Sequence, residues 1–212
     1  KEQICALLKG IEAGDEAAVA VVNPRKYVQH NPQIHEGGEG LAALFKRLSK
    51  SSPRVNIVRI FSDGDYVFGH TEYDFSSSRV GFEVFRFEGD QTVEHWDNIQ
   101  ERLGPNPSGR DMVEGPTVST DHELTENNRA IVSSFVETVL VAGQIDKLAE
   151  FIDGDDYREH NPRLSDGIST LRSALEAHDD EHGIIDYHRV HRVLAEGDFV
   201  LCVSEGSLGG VH

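Results

Sequence analysis

Base, aromatic and acid side chains alternate in the segment His95-Trp96-Asp97. On a β-strand, His95 and Asp97 point to one face of the sheet and Trp96 points to the other. A carboxyl group held in an apolar pocket is harder to ionise, so its pKa rises and it can both remove and return a proton. The pattern predicts Asp97 as a general acid and base, with His95 beside it. In the alternative interpretation, the two side chains only pair with each other or with Arg86.

Three more titratable residues, His70, Glu72 and Asp74, lie upstream on one face of another predicted strand, and Tyr73 lies on the opposite face. Alternation separates the two faces but does not decide which of them lines a pocket. If the first face does, a neutral His70 imidazole polarises a substrate carbonyl or orients Asp97. We therefore predict His70 as a further catalytic residue, and Glu72 and Tyr73 as substrate contacts.

Two stretches of the chain occur twice. Tyr27-Val-Gln-His30-Asn31-Pro32 recurs as Tyr157-Arg-Glu-His160-Asn161-Pro162, and Arg59–Val67 matches Arg192–Val200. A repeat this long indicates two copies of one domain and not a solenoid of short units.

The repeat divides the chain into domains. We predict a first domain at residues 1–103, a glycine- and proline-rich linker at 104–118 and a second domain at 119–212. The second copy has no counterpart of residues 81–100. We therefore expect it to be truncated and to lack its final strands.

Each copy places helical patterns before strand patterns. In the first copy, apolar residues at helical spacing precede four stretches with strand character: Arg54–Ser62, Tyr66–Phe75, Val80–Glu88 and Thr92–Glu101. Tight-turn residues separate the first pair and the last pair. This order predicts an α+β fold, in which helices pack on one face of a curved, mainly antiparallel sheet.

The repeated loop around His30 allows two interpretations. In the structural one, Asn31-Pro32 forms the turn and the histidine caps a helix or strand end. In the functional one, His30 and Tyr27 bind a ligand at the mouth of a pocket.

Three features together resemble the SnoaL-like polyketide cyclases of the nuclear transport factor two superfamily. They are the Tyr-x-x-His-Asn-Pro loop, the run Phe82-Glu-Val-Phe-Arg-Phe-Glu-Gly and the segment Val93–Asp97, in that order after the predicted helices. The resemblance implies two tandem cone-shaped domains, each with a pocket between its helices and the concave side of its sheet. It spans both copies and is more specific for fold than for reaction.

The family's known chemistry adds roles to these residues. In SnoaL-like cyclases an aspartate on a late strand moves protons without a metal ion, and Asp97 is the matching position. The resemblance therefore implies no cofactor and no metal. It also implies an apolar lining, for which we predict the aromatic residues Phe82, Phe85 and Trp96.

These observations lead to two main functional hypotheses and a weaker third. In the first, the protein is a polyketide cyclase-like enzyme that performs aldol-type cyclisation or isomerisation of a small hydrophobic carbonyl compound. In the second, it is a non-catalytic small-molecule binding protein of the same fold. In the third, the duplication serves only assembly. For all three we expect the domains to associate through sheet faces, as an intramolecular pseudo-dimer or a homo-oligomer.

Composition excludes several other classes of function. The chain has 212 residues and a net charge of −17, which disfavours nucleic acid and anionic lipid as partners because both need basic surfaces. No apolar run is long enough to span a membrane. Cys5 and Cys202 are too few and too far apart for a disulfide framework, so we expect a cytoplasmic protein. The acidic surface also suits a high-salt habitat.

A histidine pair offers one possible metal site. His178 and His182 stand at i and i+4, the spacing at which a helix can hold zinc. The Glu of a His-Glu-x-x-His motif is missing, and acidic neighbours indicate an exposed face, so we predict no metal site here.

Overall fold

The computed structural model describes residues 1–177 and 186–207. The chain divides into two compact units, Lys1–Arg102 and Leu103–His212. His178 and His182 lie outside the described residues. Within the described part, no helix combines the length and apolar character that a membrane crossing would need.

Two helices form one layer of the first unit: α1 spans Glu2–Ala13 and α2 spans Gly37–Leu48. One apolar stripe of α1 is buried, made by Ile4, Leu7, Leu8 and Ile11. Gly14 ends this helix in the left-handed conformation, with φ of 65°, and its N–H closes the last turn on Gly10 and Ile11 carbonyls.

A five-stranded sheet forms the other layer of this unit. Its strands are β1 (Val28–Gln29), β2 (Arg54–Asp63), β3 (Tyr66–Asp74), β4 (Ser78–Glu88) and β5 (Gln91–Glu101). The order across the sheet is β1-β5-β4-β3-β2. Strand β1 runs parallel to β5, and all other pairs are antiparallel.

The four long strands coincide with the four predicted ones to within two residues at each end. Gly64 and Gly89 form two of the connecting turns with φ of 54° and 60°, a conformation that costs glycine little. Strand β1 lies in the loop around His30, where a strand of two residues carries no periodic signal.

The helices cover one face of the sheet. Sheet residues Val55, Val67, Tyr73 and Phe85 belong to the same buried cluster as the stripe of α1 and Phe45 of α2. Because strand side chains alternate, every odd-numbered residue from β3 to β5 shares this helix-facing side, apart from local bulges. The result is the α+β arrangement that the order of elements predicts.

The second unit also contains helices and an antiparallel pair of strands. Helix α3 spans Thr125–Phe135 and continues as a π-helical turn, helix α4 spans Ile168–Ala177, and strands β6 and β7 span Asp186–Glu196 and Phe199–Ser207. Its helical core is built around four buried side chains, Val139, Leu148, Leu171 and Leu175.

The segment predicted as a linker is an anchored part of the second unit. The Asn106 side chain is only 4% exposed and donates a hydrogen bond of 2.8 Å to the Glu159 carbonyl oxygen. Arg110 pairs with Asp166 at 2.7 Å and with Glu114 at 2.9 Å. Glycine and proline therefore mark irregular backbone here, but side chains fix its path.

The repeated loop has the same hydrogen bonds in both units. The side-chain oxygens of Asn31 and Asn161 each accept the backbone N–H two residues later, at 2.8 and 3.0 Å. Their own N–H groups donate to the side chains of Gln29 and Glu159, at 2.9 and 2.8 Å. The asparagine side chain thus stabilises the turn in both units, as the structural interpretation of this loop predicts.

Candidate active site

Strand β5 places His95 and Asp97 on the helix-facing side of the sheet. Glu83 of β4 lies directly opposite Asp97 in the ladder, and Tyr73 of β3 reaches the same place from the next strand. Three residues in and around β1, which are Tyr27, Gln29 and Asn31, complete the group. We call it the Asp97 cluster and define it as Tyr27, Gln29, Asn31, Tyr73, Glu83, His95 and Asp97.

Glu83 is the buried centre of the cluster. Its side chain and that of His95 are 4% and 7% exposed. Tyr73 donates its hydroxyl hydrogen to one carboxyl oxygen at 2.6 Å, and His95 Nε2 lies 2.7 Å from the other. Both oxygens are thereby satisfied, as a buried carboxyl group requires.

The opposite edge of the His95 ring faces the loop. His95 Nδ1 lies 3.0 Å from Gln29 Oε1, and the Gln29 amide nitrogen lies 3.5 Å from the Tyr27 hydroxyl. Phe85 stacks on the ring with centroids 4.3 Å apart. The imidazole plane is therefore fixed at both nitrogens and on one face.

Asp97 is the most accessible acid of the cluster, with a side chain that is only partly buried. Asn31 donates a hydrogen bond of 2.8 Å to Asp97 Oδ2 and orients the carboxyl group. Partial burial raises the pKa of Asp97, and the charge of Glu83 raises it further, while Asn31 and His95 act in the opposite direction. The pKa of Asp97 is therefore closer to neutral pH than that of an ordinary aspartate, so the carboxyl group changes its protonation state more readily near neutrality.

The two tyrosines of the cluster have hydroxyl groups of opposite role: Tyr73 donates to Glu83, and Tyr27 accepts from the Gln29 amide nitrogen. Burial, together with the charge of Glu83, raises the pKa of Tyr73 well above its usual value, and the same two causes raise that of Tyr27. Both hydroxyl groups therefore keep their hydrogens in the physiological range.

Glu83, His95 and Asp97 also offer donor atoms within 4.8 Å of one another, the spacing of a possible cation site in the described residues. A metal ion would have to displace the hydrogen bonds from Tyr73 to Glu83 and from Asn31 to Asp97, and to separate Glu83 from His95. These donor atoms thus already have hydrogen-bond partners within the protein.

The structure does not bring His70, Glu72 or Phe82 to this cluster. These even-numbered residues of β3 and β4 lie on the face away from the helices, because Val67, Tyr73 and Phe85 occupy the helix-facing side. There, His70 stacks on Phe82 with centroids 4.4 Å apart. The predicted placement of His70 beside Asp97 is therefore wrong.

Glu72 has polar partners on that other face. It accepts hydrogen bonds from Asn56 at 2.6 Å and pairs with Arg102 at 2.9 Å. These contacts connect Glu72 to the neighbouring strand β2 and to the residue that follows β5, away from the Asp97 cluster.

His30 and Trp96 form a separate stacked pair, with centroids 4.8 Å apart and planes at 4°. His30 Nε2 lies 3.0 Å from Glu94, which also pairs with Arg86 at 2.8 Å. Arg86 thus pairs with Glu94, whereas the alternative interpretation paired it with His95 or Asp97. Neither His30 nor Trp96 belongs to the cluster, whereas Tyr27 and Tyr73 do and Phe85 packs against it.

Gln29, Asn31 and Glu83 belong to the cluster but were not among the candidate residues predicted from the sequence. Glu83 had a signal, since it is an acid among strongly apolar strand residues on the same face as Phe85. Gln29 had none, because its partner His95 is 66 residues away.

Comparison with known proteins gives a likeness of fold. No family model matches the chain, and no curated protein matches it. An NTF-2 like protein of unknown function from Burkholderia xenovorans is similar over 50% of this chain and 86% of its own, with 16% identity and a TM-score of 0.44.

Two further solved structures are similar over about half of the chain. An LEH-like epoxide hydrolase from M. tuberculosis is 20% identical over 47% of this chain and 80% of its own, with a TM-score of 0.41. IdmH from Streptomyces antibioticus, a candidate polyketide cyclase, is 15% identical over 47% of this chain and 90% of its own, with a TM-score of 0.39.

Proposed function

We propose that the unit Lys1–Arg102 is an enzyme that performs metal-free acid/base chemistry on a small hydrophobic carbonyl compound. Asp97 is its general acid and base. The observation that carries the proposal is the state of Asp97: a partly buried carboxyl group with a raised pKa, oriented by Asn31 and backed by a buried network.

The chemistry that suits such a group is proton transfer next to a carbonyl. Asp97 removes a proton from the carbon alpha to the carbonyl group, and the enolate attacks a second carbonyl or is reprotonated elsewhere. In the first case, Asp97 then returns the proton to the new alkoxide, which gives an aldol-type cyclisation; the second case is an isomerisation. A carboxyl group whose pKa is closer to neutrality serves both directions.

The charges of the cluster favour a neutral substrate. The Asp97 cluster as defined holds two carboxyl groups and one histidine, and neither lysine nor arginine. An anionic substrate would meet like charge in a poorly solvated place, which is costly. A neutral ketone or aldehyde meets no such barrier.

We further propose that the chain is a tandem duplication of a SnoaL-like domain. Two observations support this: the identical hydrogen bonds of the loops at Asn31 and Asn161, and helices that precede antiparallel strands in each unit. The two units would not be chemically equivalent, because Glu159 stands where the first unit has Gln29.

One observation favours the second candidate, a non-catalytic binding protein of the same fold. The oxygens of Glu83 and the nitrogens of His95 are all engaged within the protein. A network of that kind also serves to specify a unique polar core.

Deuterium exchange separates the two candidates without knowledge of the natural substrate. A panel of small neutral ketones is incubated in D2O with the full chain, and the loss of alpha-proton signal is followed by proton NMR. We expect catalysed exchange that Asp97→Asn lowers about 100-fold or more. The matched control is Asp90→Asn, an exposed turn aspartate that should leave the rate unchanged. Binding of a ketone without exchange at any pH would support the binding protein instead.

A further inference from the structure

The amide oxygen of Gln29 fixes a proton on His95. The backbone N–H of Asn31 donates to Gln29 Oε1 at 2.9 Å, which determines that this atom is the oxygen and not the amide nitrogen. His95 Nδ1 lies 3.0 Å from the same oxygen. A carbonyl oxygen only accepts, so Nδ1 carries hydrogen.

The other ring nitrogen must then share a proton with Glu83. His95 Nε2 and Glu83 Oε2 are 2.7 Å apart and buried. At that distance two lone pairs would repel, so one proton lies between them. The pair is either an imidazolium beside a carboxylate or an imidazole beside a carboxylic acid, and its total charge is zero in both forms.

Each neighbouring element contributes side chains around the Glu83–His95 pair. Tyr73 of β3 donates to the second oxygen of Glu83, Asp97 follows His95 on the same face of β5, and Tyr27 lies beyond Gln29. Helices α1 and α2 contribute apolar side chains to this side of the sheet. Within the cluster, Asp97 is thus the acid left without a compensating proton.

We propose that Gln29 is a positioning residue, whose amide oxygen holds the proton on His95 Nδ1, keeps the Glu83–His95 pair neutral and leaves Asp97 as the carboxyl group that exchanges protons with the substrate. The role of Asp97 rests on the proposed function. The placement of the proton on His95 does not depend on that function, and it is measured separately.

The chain itself offers a matched pair of substitutions. Gln29→Glu keeps an oxygen toward His95, and the second unit shows that this loop accommodates glutamate, since Glu159 accepts the Asn161 N–H at 2.8 Å. Gln29→Leu removes the acceptor with little change in volume.

The test of the proton is a long-range nitrogen–proton NMR spectrum of the full chain at neutral pH, in which His95→Gln identifies the signals of His95. We expect Nδ1 to be protonated in the unaltered protein and in Gln29→Glu, and unprotonated in Gln29→Leu. An unprotonated Nδ1 in the unaltered protein overturns the proposal, even if the leucine variant fails to fold. A Gln29→Leu variant that folds and keeps His95 Nδ1 protonated also overturns the proposal.

The pH profile of ketone exchange gives a second readout that a purely structural role would not move. In Gln29→Leu the His95 ring loses its Nδ1 proton, so the Glu83–His95 pair becomes negative in total and the pKa of Asp97 rises. The low-pH limb of the exchange rate then shifts upward by about one pH unit. A uniform loss of rate at all pH values contradicts the proposal. Failure of the proposed function is distinguishable, because then Asp97→Asn has no effect on exchange while the NMR result stands.

Discussion

Glu83 and Asp97 are direct partners across the β4–β5 ladder, so two acids face each other on the buried side of the sheet. Like charges that lie directly opposite each other on neighbouring strands destabilise a sheet. His95 compensates Glu83 through its contact with that carboxyl group. Asp97 has no such partner in the cluster, and burial together with the charge of Glu83 raises its pKa. The proposed activity depends on this raised pKa of Asp97, of which burial is the first cause and the charge of Glu83 the second.

The first prediction concerns the stability of Asp97→Asn. Because the pKa of Asp97 is raised on folding, the folded protein binds the proton more tightly than the unfolded chain does. This carboxyl group therefore weakens the fold as pH rises from its unfolded pKa, about 4, through the folded one. We expect Asp97→Asn to be as stable as the unaltered protein at low pH and at least as stable at neutral pH.

Urea unfolding between pH 4 and pH 8 measures this difference, with Asp90→Asn as the exposed control. A variant that loses stability increasingly toward neutral pH would show that Asp97 supports the architecture.

The second prediction concerns the hydroxyl group of Tyr73. Tyr73→Phe removes a 2.6 Å hydrogen bond to a buried carboxyl group without changing shape, so it should lower the free energy of unfolding by about 1–3 kcal/mol. Tyr27→Phe is the comparison, since its hydroxyl contact with Gln29 is 3.5 Å long and should matter less. Denaturant unfolding of both variants tests the order; equal losses would contradict it.

The third prediction concerns His70, which lies on the face away from the helices. His70→Gln should leave ketone exchange within about twofold of the unaltered rate, whereas loss of general acid/base catalysis costs about 100-fold or more. A loss comparable to that of Asp97→Asn would mean that the two side chains act in one site.

The fourth prediction separates two penalties of replacing glycine. Gly14 and Gly64 both have positive φ, at 65° and 54°, but a Cβ at Gly14 would approach Ser49 to 2.8 Å while one at Gly64 would meet nothing within 4 Å. Gly64→Ala should cost about 1 kcal/mol from backbone strain alone. Gly14→Ala should cost more, and thermal unfolding of the two variants measures the excess. Equal costs would show that Ser49 moves aside freely.

The strands were predictable because their signals are local. Alternation runs through each strand, and Gly64 and Gly89 mark turns that few other residues tolerate. Alternation also placed His95 and Asp97 on one face. Which face it is depends on how Tyr73 and Phe85 pack against helices, and that contact has no local signature.

The cluster itself was predictable only in part. Asp97 and His95 stand out as residue types within a recognisable segment. Gln29 and Asn31 meet them across 66 residues of chain, through a strand of two residues that no periodicity reveals. Long-range hydrogen bonds of this kind become visible only once the register of the sheet is known.

Strand β1 pairs Gln29 with His95 and Val28 with Glu94. A single inserted or deleted residue between Tyr27 and His30 would therefore put an alkyl chain or an imidazole opposite the histidine in place of the amide. Surface loops generally tolerate insertions well, whereas a one-residue change in this short bridge shifts its register. Descendants of this protein that altered it would lose the contact between the Gln29 amide and His95.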